Sequence, residues 1–281
     1  MPKVSVIIPC YNPGIFLRDT IDSVLKQTYS DFEIIIVNDG STDKTTLEIL
    51  ERIENLKIKV IHIPNGGVVN ARNTAVKNSS GELILNLDAD DMIAADYMKE
   101  AVEYFDQNHD AVLVYCERES FGEGIEPTPL PPYDLKIMLQ RCIVHSCAFF
   151  RRKDYDRTKG WNPEMEYYYE DWDFWLSLIE LGGTVYCIPK PYYLYRVHLA
   201  SRTQTRDWGI EKKLAVVTQR IYQNHLKLYA DNFTNPITLN SQLIKAKAGY
   251  EEQIKWIYNT ADYRLGHAIL KPLRFIKNLF R

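Results

Sequence analysis

No apolar run in this chain approaches the ~20 residues needed to span a bilayer, so a helical membrane-spanning fold is not expected. No leader peptide is expected either, because a strand pattern opens at Val4. Neither a GxxxxGK phosphate loop nor a GxGxxG turn follows that first strand, which argues against P-loop and dinucleotide-binding plans. The five cysteines, Cys10, Cys116, Cys142, Cys147 and Cys187, are odd in number and scattered, with no CxxC and no Cys/His pairing of zinc type. They read as reduced, mostly buried thiols of a cytosolic protein. A formal net charge of −3 gives no reason to expect a nucleic-acid partner. Repeats and low-complexity segments are missing too, and the sequons at Asn78 and Asn232 read as accidental.

What is present is a chain of 281 residues with 46% hydrophobic and 25% charged residues, enough for one large α/β domain and an appendage. The most informative stretch is LILNLDADD, Leu83 to Asp91. Its apolar start reads as a buried parallel strand, after which Asp88, Asp90 and Asp91 arrive within four positions. Three more runs rich in β-branched residues, Val4 to Pro9, Glu33 to Val37 and Ile58 to Ile63, alternate with helical patterns at Ile15 to Lys26, Thr45 to Glu54 and Val69 to Lys77. Strand–helix alternation with short connections predicts a mainly parallel twisted sheet flanked by helices. Ligands bind such sheets outside the carboxyl ends of the strands. Pro9 to Asn12, Asn38 to Asp43 and Asp88 to Asp91 should therefore share one edge. Crowded carboxylates repel, and a bound cation relieves them. Oxygen ligands suit Mg²⁺ or Mn²⁺, which hold diphosphates. The competing reading has Asp90 or Asp91 capping a helix that starts near Ala94.

Other residues also carry two readings. Tyr11 is either a base-stacking ring or a surface residue of the Pro13-Gly14 turn. Asp39 sits in an Asp-Gly step that turn chemistry alone explains, and Ser41, Thr42 or Asp43 is the N-cap of the next helix. Arg72 follows Gly66-Gly67 in the first turns of a helix, where it either grips phosphate or is solvated. Beyond Asp91 a helix is expected near Ala94 to Asn108 and a strand at Ala111 to Cys116. Phe121 to Tyr133, with Pro127, Pro129, Pro131 and Pro132, is expected to be a loop. Cys147 to Phe150 and Thr184 to Pro189 read as strands. YYYEDWDFW, Tyr167 to Trp175, joins an aromatic crowd to Glu170, Asp171 and Asp173 at the start of a helix, and one of those acids is expected to be its N-cap.

These segments in this order, VSVIIPCYN, EIIIVNDGSTD, GGVVNARN, GELILNLDADD, YYYEDWDFW and YRVH, resemble the family 2 glycosyltransferases of the GT-A fold over roughly residues 3–205. The resemblance implies an inverting transferase acting on a nucleotide-sugar donor, by family frequency a UDP-sugar. It places Pro9, Tyr11, Asn12, Asp39, Arg72, Asp88 and Asp90 at the donor, and Asp90, Asp88, Asp91 and His198 around Mn²⁺ or Mg²⁺. It makes Asp171 the base that deprotonates the acceptor hydroxyl, with Glu170 orienting it or binding acceptor hydroxyls. Arg196 and Ser201 would approach the diphosphate. The phosphate-loop signature of a sugar nucleotidylyltransferase is missing. A degenerate GT-A domain that only binds a glycan or partner is the rival outside catalysis.

The expected architecture is thus an α/β GT-A catalytic domain over 1–207, divided into a nucleotide-binding half (1–91) and an acceptor half (92–207). A helical extension follows at 208–281. Its last 18 residues hold five Lys or Arg and no acid. On a helix, Leu265, Ile269, Leu273, Ile276 and Phe280 share one face and Arg264, His267, Lys271, Arg274, Lys277 and Arg281 the other, with Pro272 as a break. Two readings stand for residues 264–281: peripheral contact with an anionic membrane at its cytoplasmic face, or packing against the domain or a homodimer partner. The acceptor is expected to be a glycan or a lipid-linked sugar of surface polysaccharide synthesis.

Overall fold

The computed structural model describes residues 2–123, 129–165, 168–198 and 210–260. Strands β1 (Val4–Cys10), β2 (Phe32–Asp39), β3 (Ile58–Ile63) and β4 (Leu83–Asn86) run parallel in the order β3-β2-β1-β4. β1 and β4 are buried along their whole lengths, as strands covered on both faces must be. Pro9 is tolerated inside β1 because of where it points. The Ile7 carbonyl accepts from the Leu87 N–H (3.0 Å), and Pro9, two residues on, faces the same side past the last β1–β4 pair. Its missing donor has no partner to disappoint.

The connecting helices are α1 (Phe16–Leu25), α2 (Lys44–Glu51), α3 (Gly67–Lys77) and α4 (Tyr97–Gln107). α1 buries Leu17, Thr20, Ile21 and Val24, an i, i+3, i+4, i+7 stripe. These pack with Ile8, Ile36, Leu85, Tyr97 and Phe105 in one core. Each large apolar side chain so buried contributes ~1.5–3 kcal/mol. α2 is capped by Asp43, whose carboxylate accepts from the Thr46 N–H (2.7 Å). α4 begins at Tyr97, and neither Asp90 nor Asp91 caps it: Asp96 holds the N-cap position without a side-chain bond.

The sheet continues through β5 (Met92–Ile93), β6 (Ala111–Gly122), β7 (Phe149–Arg151) and β8 (Thr184–Val197) to give eight strands in the order β3-β2-β1-β4-β7-β6-β8-β5. β7 is antiparallel to both neighbours, β6 and β8 are parallel, and β5 is antiparallel to β8. β6 runs well past the expected Cys116. A bulge between Cys116 and Arg118 lets its second half, Arg118 to Gly122, pair with Tyr193 to Val197. The remaining helices are α5 (Leu135–Met138), α6 (Arg152–Tyr155), α7 (Glu170–Ile179), α8 (Ile210–Asn224), α9 (Leu226–Asn232) and α10 (Pro236–Asn259).

The chain divides into two compact units, one reaching Leu228 and one starting at Tyr229. In the second, the Asn235 side chain caps α10 by accepting from the Thr238 N–H (3.0 Å). Among the described residues no helix is long and apolar enough to cross a membrane. Tyr167, Ser201 and the 264–281 segment lie outside the described residues.

Candidate active site

The parallel register brings the strand ends together. Cys10 sits opposite Asn38, and β4 ends beside Ile7, so the residues after β1, β2 and β4 emerge at one edge. Asn12 staples two of these ends. It takes a left-handed φ of 51°, its N–H donates to Ser41 Oγ (3.0 Å), and its Oδ1 accepts from the N–H groups of Thr42 (2.7 Å) and Asp43 (2.9 Å). Asp39 is buried, and its carboxylate accepts from the N–H groups of Gly66 (2.7 Å) and Gly67 (2.9 Å). It therefore anchors the start of α3. Gly40 permits this close approach, since its φ is +70° and a Cβ there would lie 2.7 Å from the Asn65 nitrogen.

A cavity of about 500 Å³ opens in front of this edge, lined by Pro9, Tyr11, Arg72, Asp88, Asp90 and Asp171 among others. Tyr11 is 56% exposed at its mouth, with its ring free to stack. Arg72, by contrast, is buried rather than solvated, and lines the cavity from within. Its Nη2 donates to Asp88 Oδ1 (2.9 Å) and its Nη1 to Glu170 Oε1 (3.1 Å), while Nε has no partner. Burial opposes the charge, but the Asp88 and Glu170 carboxylates outweigh it and hold the guanidinium protonated. The other Asp88 oxygen accepts from Ser146 Oγ (2.8 Å).

The three aspartates of the turn differ sharply. Asp91 is buried, accepting from the Tyr193 hydroxyl and from the Arg196 N–H (2.7 Å), so both its oxygens are spent on β8. Burial, then the charges of Asp90 and Asp88, push its carboxyl well up. Asp90 is more open, with its Oδ2 3.0 Å from His198 Nε2. Burial and then Asp88 raise its pKa as well. Among the described residues no three His, Cys, Asp or Glu groups are close enough together to hold a metal ion by themselves. Asp90 and His198 nonetheless form an adjacent oxygen–nitrogen pair. Magnesium-type sites use one or two protein ligands and complete their shell with substrate phosphate and water, and this pair fits that pattern. Asp88 and Asp91 are already engaged by other partners.

Arg196 is largely withdrawn from solvent. Its guanidinium lies between the rings of Phe16 (4.5 Å) and Phe121 (4.6 Å), pairs with Asp19 (2.8 Å), and donates from Nε to the Asp90 carbonyl (2.8 Å). It clamps the Asp90 turn from behind.

On the far side of the cavity stands the start of α7. No acid caps this helix; Tyr169 occupies the N-cap in a left-handed conformation, φ 66°. Glu170 is buried and half-buried Asp171 accepts from the Trp172 N–H (2.8 Å). Burial, then Glu170, push Asp171 up to about 6 against the pull of Arg72. Asp173 turns the other way, toward His225. The site thus gathers Asp88, Asp90, Glu170 and Asp171 around one buried arginine, with Asp39 and Asn12 holding the frame.

A model of the family described as glycosyl transferase family 2 matches residues 5–159. The chain belongs to that family. Family 2 relatives include a hyaluronan synthase of Pasteurella multocida, 29% identical over 99% of this chain but only 28% of that protein. The uncharacterized glycosyltransferase EpsJ of Bacillus subtilis is 43% identical over 73% of this chain and 64% of its own length. A likeness of fold alone extends to the crystal structure of S. aureus TarS 1–349 in complex with UDP-GlcNAc. It has a TM-score of 0.60 at 23% identity, covering 93% of this chain and 80% of that one. The chain spans under a third of the length of the polysaccharide synthases it matches. For a family 2 domain, the site residues that sequence reasoning missed are Ser146, His145 and Tyr193. Ser146 and His145 sit in an irregular stretch with no period to read. Tyr193 was hidden because the strand pattern appeared to stop at Pro189.

Proposed function

We propose that this chain is a metal-dependent inverting glycosyltransferase that moves a sugar from a UDP-sugar to a glycan acceptor in surface polysaccharide synthesis. The observation that carries the reading is the meeting, in one cavity, of the carboxylate turn after β4 with the Glu170-Asp171 pair of α7. A donor-side charge site and a base on the facing wall are what transfer to a hydroxyl requires. The names of the relatives support the same chemistry: a hyaluronan synthase by sequence, and a fold neighbour solved with UDP-GlcNAc.

In this reading Tyr11 stacks on the nucleobase and Pro9 lines its pocket, while Asn12 and Asp39 hold the backbone around it. Asp171 takes the proton of the acceptor hydroxyl; a base whose pKa lies near working pH transfers protons most effectively. The hydroxyl oxygen bonds to the anomeric carbon as the bond from that carbon to the diphosphate oxygen breaks, the electron pair leaving with the nucleotide. Attack opposite the leaving group inverts the centre, and no covalent enzyme intermediate forms. Glu170, fixed by Arg72, keeps Asp171 oriented and raises its basicity. Asp90 and His198 would hold Mn²⁺ or Mg²⁺, which when bound neutralises charge on the leaving diphosphate.

Thermal shift with UDP, GDP and dTDP, each with and without Mn²⁺, tests the proposal. UDP with Mn²⁺ at ~100 times its dissociation constant should add about 2.7 kcal/mol of stability. Stabilisation by none of the three with metal would remove the transferase reading.

A further inference from the structure

A second cavity, of about 420 Å³, lies beside the first and shares a wall with it made by Arg118, Leu130 and His145. It is lined by Tyr115 on β6 and by Pro131 and Tyr133. Its size falls in the ~300–1,000 Å³ range of small-molecule sites, which are mostly apolar with a few orienting polar groups. The position is informative. Tyr11 and Asp39 belong to β1, β2 and their ends, whereas this cavity is built on β6 and the turn before α5, across the Asp88 turn from them.

Resting on the transferase reading, we propose that this second cavity is an acceptor subsite, holding sugar residues of a glycan chain next to the one that receives the transferred sugar. Flat tyrosine and proline faces match the C–H faces of pyranose rings, and tyrosine adds a polar tip for hydroxyls. The shared wall also carries polar side chains, those of Arg118 and His145. His145 Nε2 lies 2.7 Å from the Cys116 carbonyl, which fixes the ring in this wall with Nε2 as the protonated nitrogen. Burial depresses the ring to about 4, which keeps it neutral. A chain leaving Asp171 along this wall would place successive rings against Leu130 and then Tyr133.

The test is titration calorimetry of the full chain with chitobiose and with chitohexaose, in saturating UDP and Mn²⁺. Chitohexaose should bind at least tenfold more tightly than chitobiose. Tyr133→Ala and Leu130→Trp should each abolish that difference, the first by removing a stacking face and the second by narrowing the passage. Leu130 is exposed, so its variant keeps the test alive if Tyr133→Ala fails to fold. Equal affinity for the two sugars, no binding of either, or a length advantage that survives Leu130→Trp would overturn the subsite. So would binding of decyl phosphate that depends on Tyr133, which would mark an alkyl-chain site instead. UDP binding in the same experiment separates the two levels: UDP bound without a length effect sinks the subsite alone, whereas no UDP binding sinks the transferase reading.

Discussion

Arg72 and Glu170, 98 positions apart in sequence, are joined by a 3.1 Å ion pair, and the same guanidinium holds Asp88 at 2.9 Å. One buried cation on α3 therefore ties the turn after β4 to the first residue of α7. Losing one partner of such a buried pair typically costs ~3–5 kcal/mol, because the remaining charges stay buried without compensation. Arg72→Met should lower the urea-unfolding free energy by about that amount. Arg72→Lys should recover only part of it, since an ammonium cannot fork between two carboxylates. A methionine variant as stable as the parent would show that the bridge is not formed in solution.

Asp171→Asn should leave UDP affinity nearly intact and lower transfer by ~10²-fold or more, the usual effect of losing a general base. The pH dependence has a definite sign. Asp171 is raised to about 6, so its basic form is present above that pH and disappears as pH falls through it. The acid limb of kcat/KM should bend near pH 6, and the asparagine variant should lose that bend. A variant whose nucleotide affinity drops as far as its rate would point to a structural role for Asp171.

Asp90 and Asp91, adjacent in sequence, should respond differently. Asp90→Asn is expected to abolish the Mn²⁺-dependent part of UDP binding with little change in melting temperature. Asp91→Asn disturbs a carboxylate that accepts from Tyr193 and the Arg196 N–H. It should cost ~1–3 kcal/mol of stability. Calorimetry and thermal melts on both proteins check the contrast; a reversed pattern would exchange the two roles.

His225 provides a stability prediction away from the chemistry. Its ring is buried with Nε2 3.3 Å from Asp173 and Nδ1 3.2 Å from Glu180. Burial alone would depress its pKa, but the two carboxylates prevail and lift it from 6.5 to about 9. A histidine raised on folding stabilises fully below its unfolded pKa and loses that contribution as pH climbs through the folded value. Stability should therefore fall between pH 6.5 and about 9, by up to ~3 kcal/mol. His225→Gln should flatten this slope in urea unfolding followed from pH 6 to 10.

The N-terminal half was legible because each of its strands announces itself locally. Val4 to Pro9, Glu33 to Val37 and Ile58 to Ile63 are apolar runs bounded by turn residues, and they emerge as β1, β2 and β3 within two residues at either end. The second half of β6 was not. Glu117 to Gly122 is charged and partly exposed, and it becomes strand only through pairing with Tyr193 to Val197 more than seventy positions away. β8 was read as ending at Pro189 because prolines interrupt it. In the structure Pro189 and Pro191 fall in the gap between its two paired stretches, where an absent N–H costs no ladder bond. At the site, the acidic residues that line the cavity were singled out in the sequence, but their partners were not foreseen. Arg72 was read as either a phosphate grip or a solvated side chain; its burial between Asp88 and Glu170 was not legible, since a sequence shows a charge and not what lies across from it. The cap of α7 failed for a related reason: three acids at a helix start are good N-cap candidates, yet the position fell to Tyr169.

That left-handed tyrosine fixes where α7 can begin. A residue at φ 66° cannot be absorbed into a right-handed turn, so the helix is barred from growing backward. Holding such a side chain there costs on the order of 1–3 kcal/mol, which the packed edge-on contact of Tyr169 with Trp172 helps offset. Upstream changes in chain length are then absorbed before position 169, leaving the depth of Asp171 in the cavity untouched. The position of Asp171 in the cavity is therefore set from within α7, by a single backbone dihedral at its first boundary.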